Sequence, residues 1–225
     1  MARLSVDERR RVLVDAAIQV MTRDGVAKAT TRAVVTEAGM QLGFFHYCFE
    51  SKEDLLAVVV ETITERNVAA AMASVAPRRA VADMLREGMH AYWRGVEGDP
   101  ATHQLTYELT QYALRRPGLD AVARRQYAAY LQATTRFLDA VAAAADVTWA
   151  VPVPVLARHA AVVLDGATLA WIVDRDTAGT LAVLDQAAAA IAAHADPACT
   201  AGRGNERPVC GDTPGDSPAS IPEPS

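Results

Sequence analysis

The sequence predicts an all-α fold, and three observations predict it. Apolar residues recur at the helical period, and no segment alternates apolar and polar positions as a half-buried strand does. Breaks in that period fall on turn chemistry, at Gly25, Gly39, Gly98-Asp99-Pro100, Pro117-Gly118, Pro152 to Pro154 and near Asp176. Pro100, Pro117 and Pro154 stand near helix starts, where a missing backbone N–H is tolerated. No internal repeat is present.

Asp7 to Asp24 reads as the first helix, with Leu13, Ala16, Ala17 and Val20 on its inner face and Gly25 at its end. Arg9, Arg10 and Arg11 stand at its start, where cationic charge opposes the helix dipole. They are either a solvated face beside Asp7 and Glu8 or contacts to phosphate. Thr30 is a good N-cap for a second helix over about Thr31 to Ala38, and Gly39 suits a left-handed exit from it. A third helix over about Gln41 to Cys48 carries the aromatic run Phe44, Phe45, His46 and Tyr47. Ser51 caps a fourth, Lys52 to Ser74, whose apolar stripe is Leu55, Leu56, Val59 and Ile63. That helix begins among the short N-terminal helices and ends among the longer ones. Further helices are expected at Arg79 to Glu97, Ala101 to Arg115, Gly118 to Ala145, Val155 to Asp174 and Thr177 to Ala195.

Two short helices joined by a glycine-containing turn form the helix-turn-helix pattern, whose second helix enters the DNA major groove. Phe45 and Phe49 are four apart and should point inward, and Gly43 should let the preceding helix approach closely. Gln41, Leu42, Phe44, His46 and Tyr47 then lie nearest the groove. Glutamine can bond adenine in bidentate fashion, and an apolar ring can lie on a thymine methyl. Phe44 faces either partial burial or base contact. Thr31 and Arg32, at the exposed start of the second helix, suit a phosphate. Cys48 reads as a small buried hydrophobe.

These residues also carry a family resemblance. Ala38-Gly39-Met40, Gly43, Tyr47, Phe49 and Ser51-Lys52-Glu53-Asp54-Leu55-Leu56, with Ala16-Ala17, Gly25 and Thr30 upstream, resemble the N-terminal signature of TetR-family transcriptional regulators. The resemblance covers about the first quarter of the chain, and its ordered spacing is far more specific than a lone helix-turn-helix. It implies an all-α homodimer with a three-helix DNA-binding head and a helical body for ligand binding and dimerisation. It also implies that Lys52 resembles the family's phosphate-contacting lysine. The chain departs from the family at Gln41, Leu42, Phe44 and His46, so no base preference transfers.

The expected divisions are a head over residues 1–52, a body over 53–195 and a disordered tail over 196–225, where Pro, Gly, Ser, Asp and Glu dominate. The net charge of −5 is unevenly spread. Residues 1–52 hold eight Arg and Lys against six Asp and Glu, which leaves the remainder near −7.

In the body, Trp93, His103, Tyr107, Gln111 and Tyr127 are the candidates for lining a ligand site. An aromatic stripe at helical spacing is more often core than pocket, and the site itself is implied by the resemblance. The helix over Val155 to Asp174 is apolar nearly all round and must be buried all round. Val162, Gly166 and Leu169, with Leu184 and Ile191 on the next helix, are the candidate dimer surface, the alternative being a monomer core.

Other classes find no support. No two of the five histidines share a helix at three- or four-residue spacing, and Cys199 and Cys210 lack a His partner at finger spacing, so no metal or other cofactor is expected. No phosphate loop, nucleophile elbow or paired carboxylate motif suggests an enzyme. Three cysteines and no signal peptide suggest a reducing cytoplasm. No uninterrupted apolar run reaches the roughly 18 residues of a membrane span. The expected function is a ligand-released repressor that binds a palindromic double-stranded DNA operator as a homodimer, with a small-molecule effector. The rival is an α-helical small-molecule carrier dimer whose head no longer reads DNA.

Overall fold

The computed structural model describes residues 5–198. Nine α-helices are found among them: α1 Val6–Asp24, α2 Thr31–Glu37, α3 Leu42–Cys48, α4 Lys52–Met72, α5 Val81–Gly98, α6 Pro100–Leu114, α7 Asp120–Ala145, α8 Val153–Asp174 and α9 Thr177–Ala192. The all-α expectation holds, and each helix lies close to its expected span.

The caps explain why the helices start where they do. Ser5 and Glu8 form a reciprocal capping box on α1, which also places Asp7 and Glu8 in the first turn to offset the arginines beside them. Thr30 accepts from the Ala33 amide and Ser51 from the Asp54 amide, as expected. Asp99 and Asp176 do the same for α6 and α9. Each such cap is worth about 1 kcal/mol. Gly39 (φ 63°) makes the left-handed turn between α2 and α3.

Two strands depart from expectation. Val147–Trp149 (β1) pairs antiparallel with Ala195–Pro197 (β2), Thr148 opposite Asp196. The chain expected to be disordered from residue 196 is thus ordered through this strand, and α9 ends before Ala195. Three residues are too few to display an alternating pattern. The rest of the tail, with Cys199 and Cys210, and the arm holding Arg3 lie outside the described residues.

The core has two parts. One joins α1–α3 to the first half of α4 and continues into Leu105, Leu109 and Ala113 of α6 and Leu119, Val122 and Ala123 beside and within α7. The other fills the body between α5, α7, α8 and α9, around Trp93, Phe137, Leu138, Trp171, Leu184 and Ile191. Packing therefore runs through residue 52 without a gap.

α8 packs on α7 and α9 through Leu156, Ala157, Ala160, Thr168 and Trp171. It is also long and apolar enough to cross a membrane by length and composition. Within the protomer it is not buried all round. Val155, Val162, Gly166, Leu169 and Val173 form an uncovered outer stripe, with Val162 58% and Val173 81% exposed.

Candidate nucleic-acid interface and body cavity

In the head, Phe45 and Phe49 pack against each other with ring centroids 5.5 Å apart and anchor α3 to α1. The anchor fixes what faces outward. Gln41, the N-cap of α3, is exposed together with Leu42, Gly43, Phe44, His46 and Tyr47, the last 66% exposed. Gly43 meets nothing where a Cβ would project, so it does not serve close approach of α2 as expected; its bare backbone belongs to the outer face. Phe44 is partly exposed, with the Arg9 guanidinium 4.7 Å from its ring centre. Arg10 is committed to structure: it donates to the Cys48 carbonyl at 2.5 Å, lies over Phe49 and reaches Asp54 at 3.8 Å. Arg11 and Arg32 are exposed, while Thr31 is half-buried.

In the body, α4, α5, α6, α7 and α8, with Ile191 of α9, enclose a cavity of about 110 Å³. Its walls are mostly aliphatic, with Phe137 packed on the bare backbone of Gly88. Polar groups enter at a few points. His103 is buried on α6, and burial holds its pKa below the ordinary histidine value against the opposing pull of Asp99. The Tyr92 hydroxyl meets Thr168 Oγ1 at 3.1 Å, and Tyr107 donates to the Asp165 carbonyl at 2.7 Å. Buried Gln126 donates to the Tyr130 hydroxyl at 2.7 Å and to the Thr106 carbonyl at 3.0 Å. Burial pushes the phenols of Tyr92, Tyr107 and Tyr130 up, so all three are neutral near neutral pH.

α6 also reaches the head. Glu108, next to Tyr107, accepts from the Val26 amide at 2.7 Å, just after Gly25 (φ 89°). Tyr112, one turn on, carries Lys52 and Arg116 over its ring.

The head matches, over residues 13–59, the family described as bacterial regulatory proteins, tetR family. Over 76% of its length the chain is 28% identical to the HTH-type nicotine-responsive transcriptional repressor HdnoR of Paenarthrobacter nicotinovorans, covering 88% of that protein. It is 31% identical to the solved multidrug binding protein EbrR complexed with imidazole, over 80% of this chain and 94% of that one, with a TM-score of 0.56.

The chain belongs to the TetR family.

It is a ligand-responsive, DNA-binding transcriptional regulator, and the carrier reading is not favoured. The Bacillus subtilis regulator FadR in complex with stearoyl-CoA shares the fold alone, at 15% identity and TM-score 0.62 over 82% of this chain and 98% of that one. In this TetR-family chain the sequence-predicted residues divide. Gln41, Leu42, Phe44, His46 and Tyr47 are all exposed on or beside α3. Lys52 is half-buried; its ammonium donates to the Val26 carbonyl of the head's first loop, 3.3 Å away, and lies 5.4 Å from the Tyr112 ring of α6, the contact by which it reaches the body.

In the body, His103 and Tyr107 line the cavity. Trp93 does not; it packs edge-on against Trp171 at 5.0 Å in the core. Gln111 is exposed outside the cavity, and Tyr127 lies at its margin. Tyr92, Thr106, Tyr130 and Asp165 also line it and were not expected from the sequence. The stripe of Thr106 and Tyr107 beside Tyr130 needed the pairing of α6 with α7, which no single helix displays. Of the dimer candidates, Val162, Gly166 and Leu169 are exposed, but Leu184 and Ile191 are buried against α5 inside the protomer. They face inward because α9 has two apolar sides; its outer side is Val183, Gln186 and Ala190.

Proposed function

We propose that this regulator is a cytoplasmic repressor that binds a palindromic operator as a homodimer and leaves it when a small molecule fills the body cavity. Residues 1–52 are its head and 53–195 its body. The α3 face of Gln41, Leu42, Phe44, His46 and Tyr47 reads bases, while Thr31 and Arg32 hold phosphate. The uncovered stripe of α8 with the outer side of α9 forms the four-helix dimer interface, and the two recognition helices then lie roughly one DNA turn (about 34–36 Å) apart. A dimer also explains why an apolar helix such as α8 is left half-dressed.

The single observation that carries the ligand response is the placement of α6. Its Tyr107 lines the cavity and the adjacent Glu108 holds a head amide. A ligand that displaces Tyr107 therefore moves a carboxylate on which the head's first loop rests. A coupling of only about 1–3 kcal/mol is enough to change operator occupancy several-fold or more. The nicotine response in the name of HdnoR and the multidrug binding in that of EbrR support a small-molecule effector.

The test is a gel shift of the full chain on the DNA flanking its gene, at two salt concentrations with competitor DNA. A discrete complex that weakens steeply with salt supports the proposal. Absence of any sequence-specific complex, with the dimer intact, refutes it. Glu108→Ala sharpens the test: the variant should still bind effector but respond to it several-fold less.

A further inference from the structure

The charge inside the cavity is unbalanced. Its lining holds one carboxylate, Asp165 of α8, and neither lysine nor arginine. Among the described residues Asp165 takes part in no salt bridge. Its Oδ2 accepts one hydrogen bond, from Tyr127 at 3.2 Å, while Tyr107 is spent on its backbone carbonyl. Arg158, also on α8, is solvent-exposed and lines no part of the cavity; its positive field reaches the Tyr127 hydroxyl at the margin, where it opposes that of Asp165, but no ion pair joins the two. His103 supplies no compensating charge, because burial keeps it neutral.

Around this carboxylate stand four tyrosines. Tyr92, Tyr107 and Tyr130 line the cavity, and Tyr127 lies at its margin, its ring 5.7 Å from that of Tyr130. The negative field of Asp165 reaches all four hydroxyls, raising each phenol beyond the effect of burial. The rings are therefore neutral, and their faces carry the negative side of the aromatic quadrupole. A lone carboxylate among neutral aromatic faces and aliphatic walls is attractive to an organic cation. An anion meets repulsion there, and a neutral guest leaves the carboxylate uncompensated as it expels its water. A cavity of about 110 Å³ is on the scale of the roughly 150 Å³ void that holds benzene, so the apolar part of the guest is of single-ring size.

We propose that the cavity selects a protonated amine on a ring-sized apolar body, with Asp165 as its counter-ion and the tyrosine rings as its walls. This rests on reading the cavity as the effector site, and the two are separable. The experiment is calorimetric titration of the full chain, near neutral pH, with benzylamine, benzyl alcohol and benzoate, which share a ring and differ in charge. Benzylamine should bind about tenfold or more tighter than either of the others. Asp165→Asn, which keeps the backbone carbonyl that Tyr107 uses, should bring benzylamine down to the level of benzyl alcohol without lowering the melting temperature. Equal binding of benzyl alcohol or benzoate, binding of none of the three, or an undiminished preference in Asp165→Asn overturns the proposal. The comparison on the unsubstituted chain decides it even if the variant does not fold. Asp165-dependent binding of benzylamine that leaves the DNA complex intact keeps the cation site and overturns only the cavity's role as effector site.

Discussion

The proposed recognition helix, α3, and the body cavity both gather aromatic residues but treat their polar edges in opposite ways. On α3, Phe44 and Tyr47 face outward, and among the described residues the Tyr47 hydroxyl makes no hydrogen bond. In the cavity and at its margin every tyrosine hydroxyl is engaged, by Thr168, the Asp165 carbonyl, the Asp165 carboxylate or Gln126. The difference reflects what each site meets. A surface for a long polyanion keeps its donors in water until contact, at little cost. A site that encloses its guest must satisfy its own hydroxyls beforehand, since a buried unpaired one costs about 1–3 kcal/mol. The cavity is thus arranged in advance, whereas the recognition face is arranged only as far as its Phe45 and Phe49 anchor.

The sharpest way to break this comparison is to cut the anchor and the face separately. Phe45→Ala should destabilise the protein by about 3–5 kcal/mol in urea or thermal unfolding. Tyr47→Ala should change stability by no more than about 0.5 kcal/mol while weakening DNA binding. Equal losses of stability would erase the distinction between anchor and face. In the cavity, Gly88→Ala drives a methyl group into the Phe137 ring. It should cost about 1–3 kcal/mol of stability and reduce the space left for a guest, as melting and titration would show.

Smaller effects sharpen the head. Arg32→Ala should weaken binding to all sequences alike and lower the salt slope by about 1, whereas Gln41→Ala should change sequence preference at nearly constant slope. If the two variants behave alike, phosphate and base contacts are not divided as proposed. The smallest effect belongs to His103. Its folded pKa lies below the usual value of about 6.5, so between the two the unfolded chain binds more protons. The stability it contributes is complete above about pH 6.5 and declines as pH falls below that. His103→Gln should flatten this part of the melting curve against pH, measured beside the parent chain.

The fold was legible because its signals are local. Thr30, Gly39 and Ser51 set helix boundaries by chemistry within one turn of themselves, and the head's inner face repeats at helical spacing. The α3 face emerged by subtraction once Phe45 and Phe49 were turned inward. The cavity was legible only in His103 and Tyr107, because Tyr92, Tyr130 and Asp165 come together from three helices whose mutual rotation no single-helix pattern fixes. The same blindness misplaced Leu184 and Ile191: a helix with two apolar sides does not say which of them meets its own chain. Lys52 sits where a helix start invites phosphate contact, and only the tertiary neighbour Val26 shows where its ammonium points.

The continuity of packing across residue 52 bears on how such a protein can be re-engineered. Leu105, Leu109 and Ala113 of α6 complete the same core as Leu13, Val26 and Phe45, and Glu108 completes the hydrogen bonding of the loop at Val26. The DNA-reading part is therefore not an interchangeable cassette. A hybrid that grafts residues 1–52 onto a foreign body leaves behind part of its own foundations. One that carries α6 along brings His103, Thr106 and Tyr107, and with them a wall of the cavity. On the proposed reading of the cavity, operator and effector preferences in this chain are inherited together.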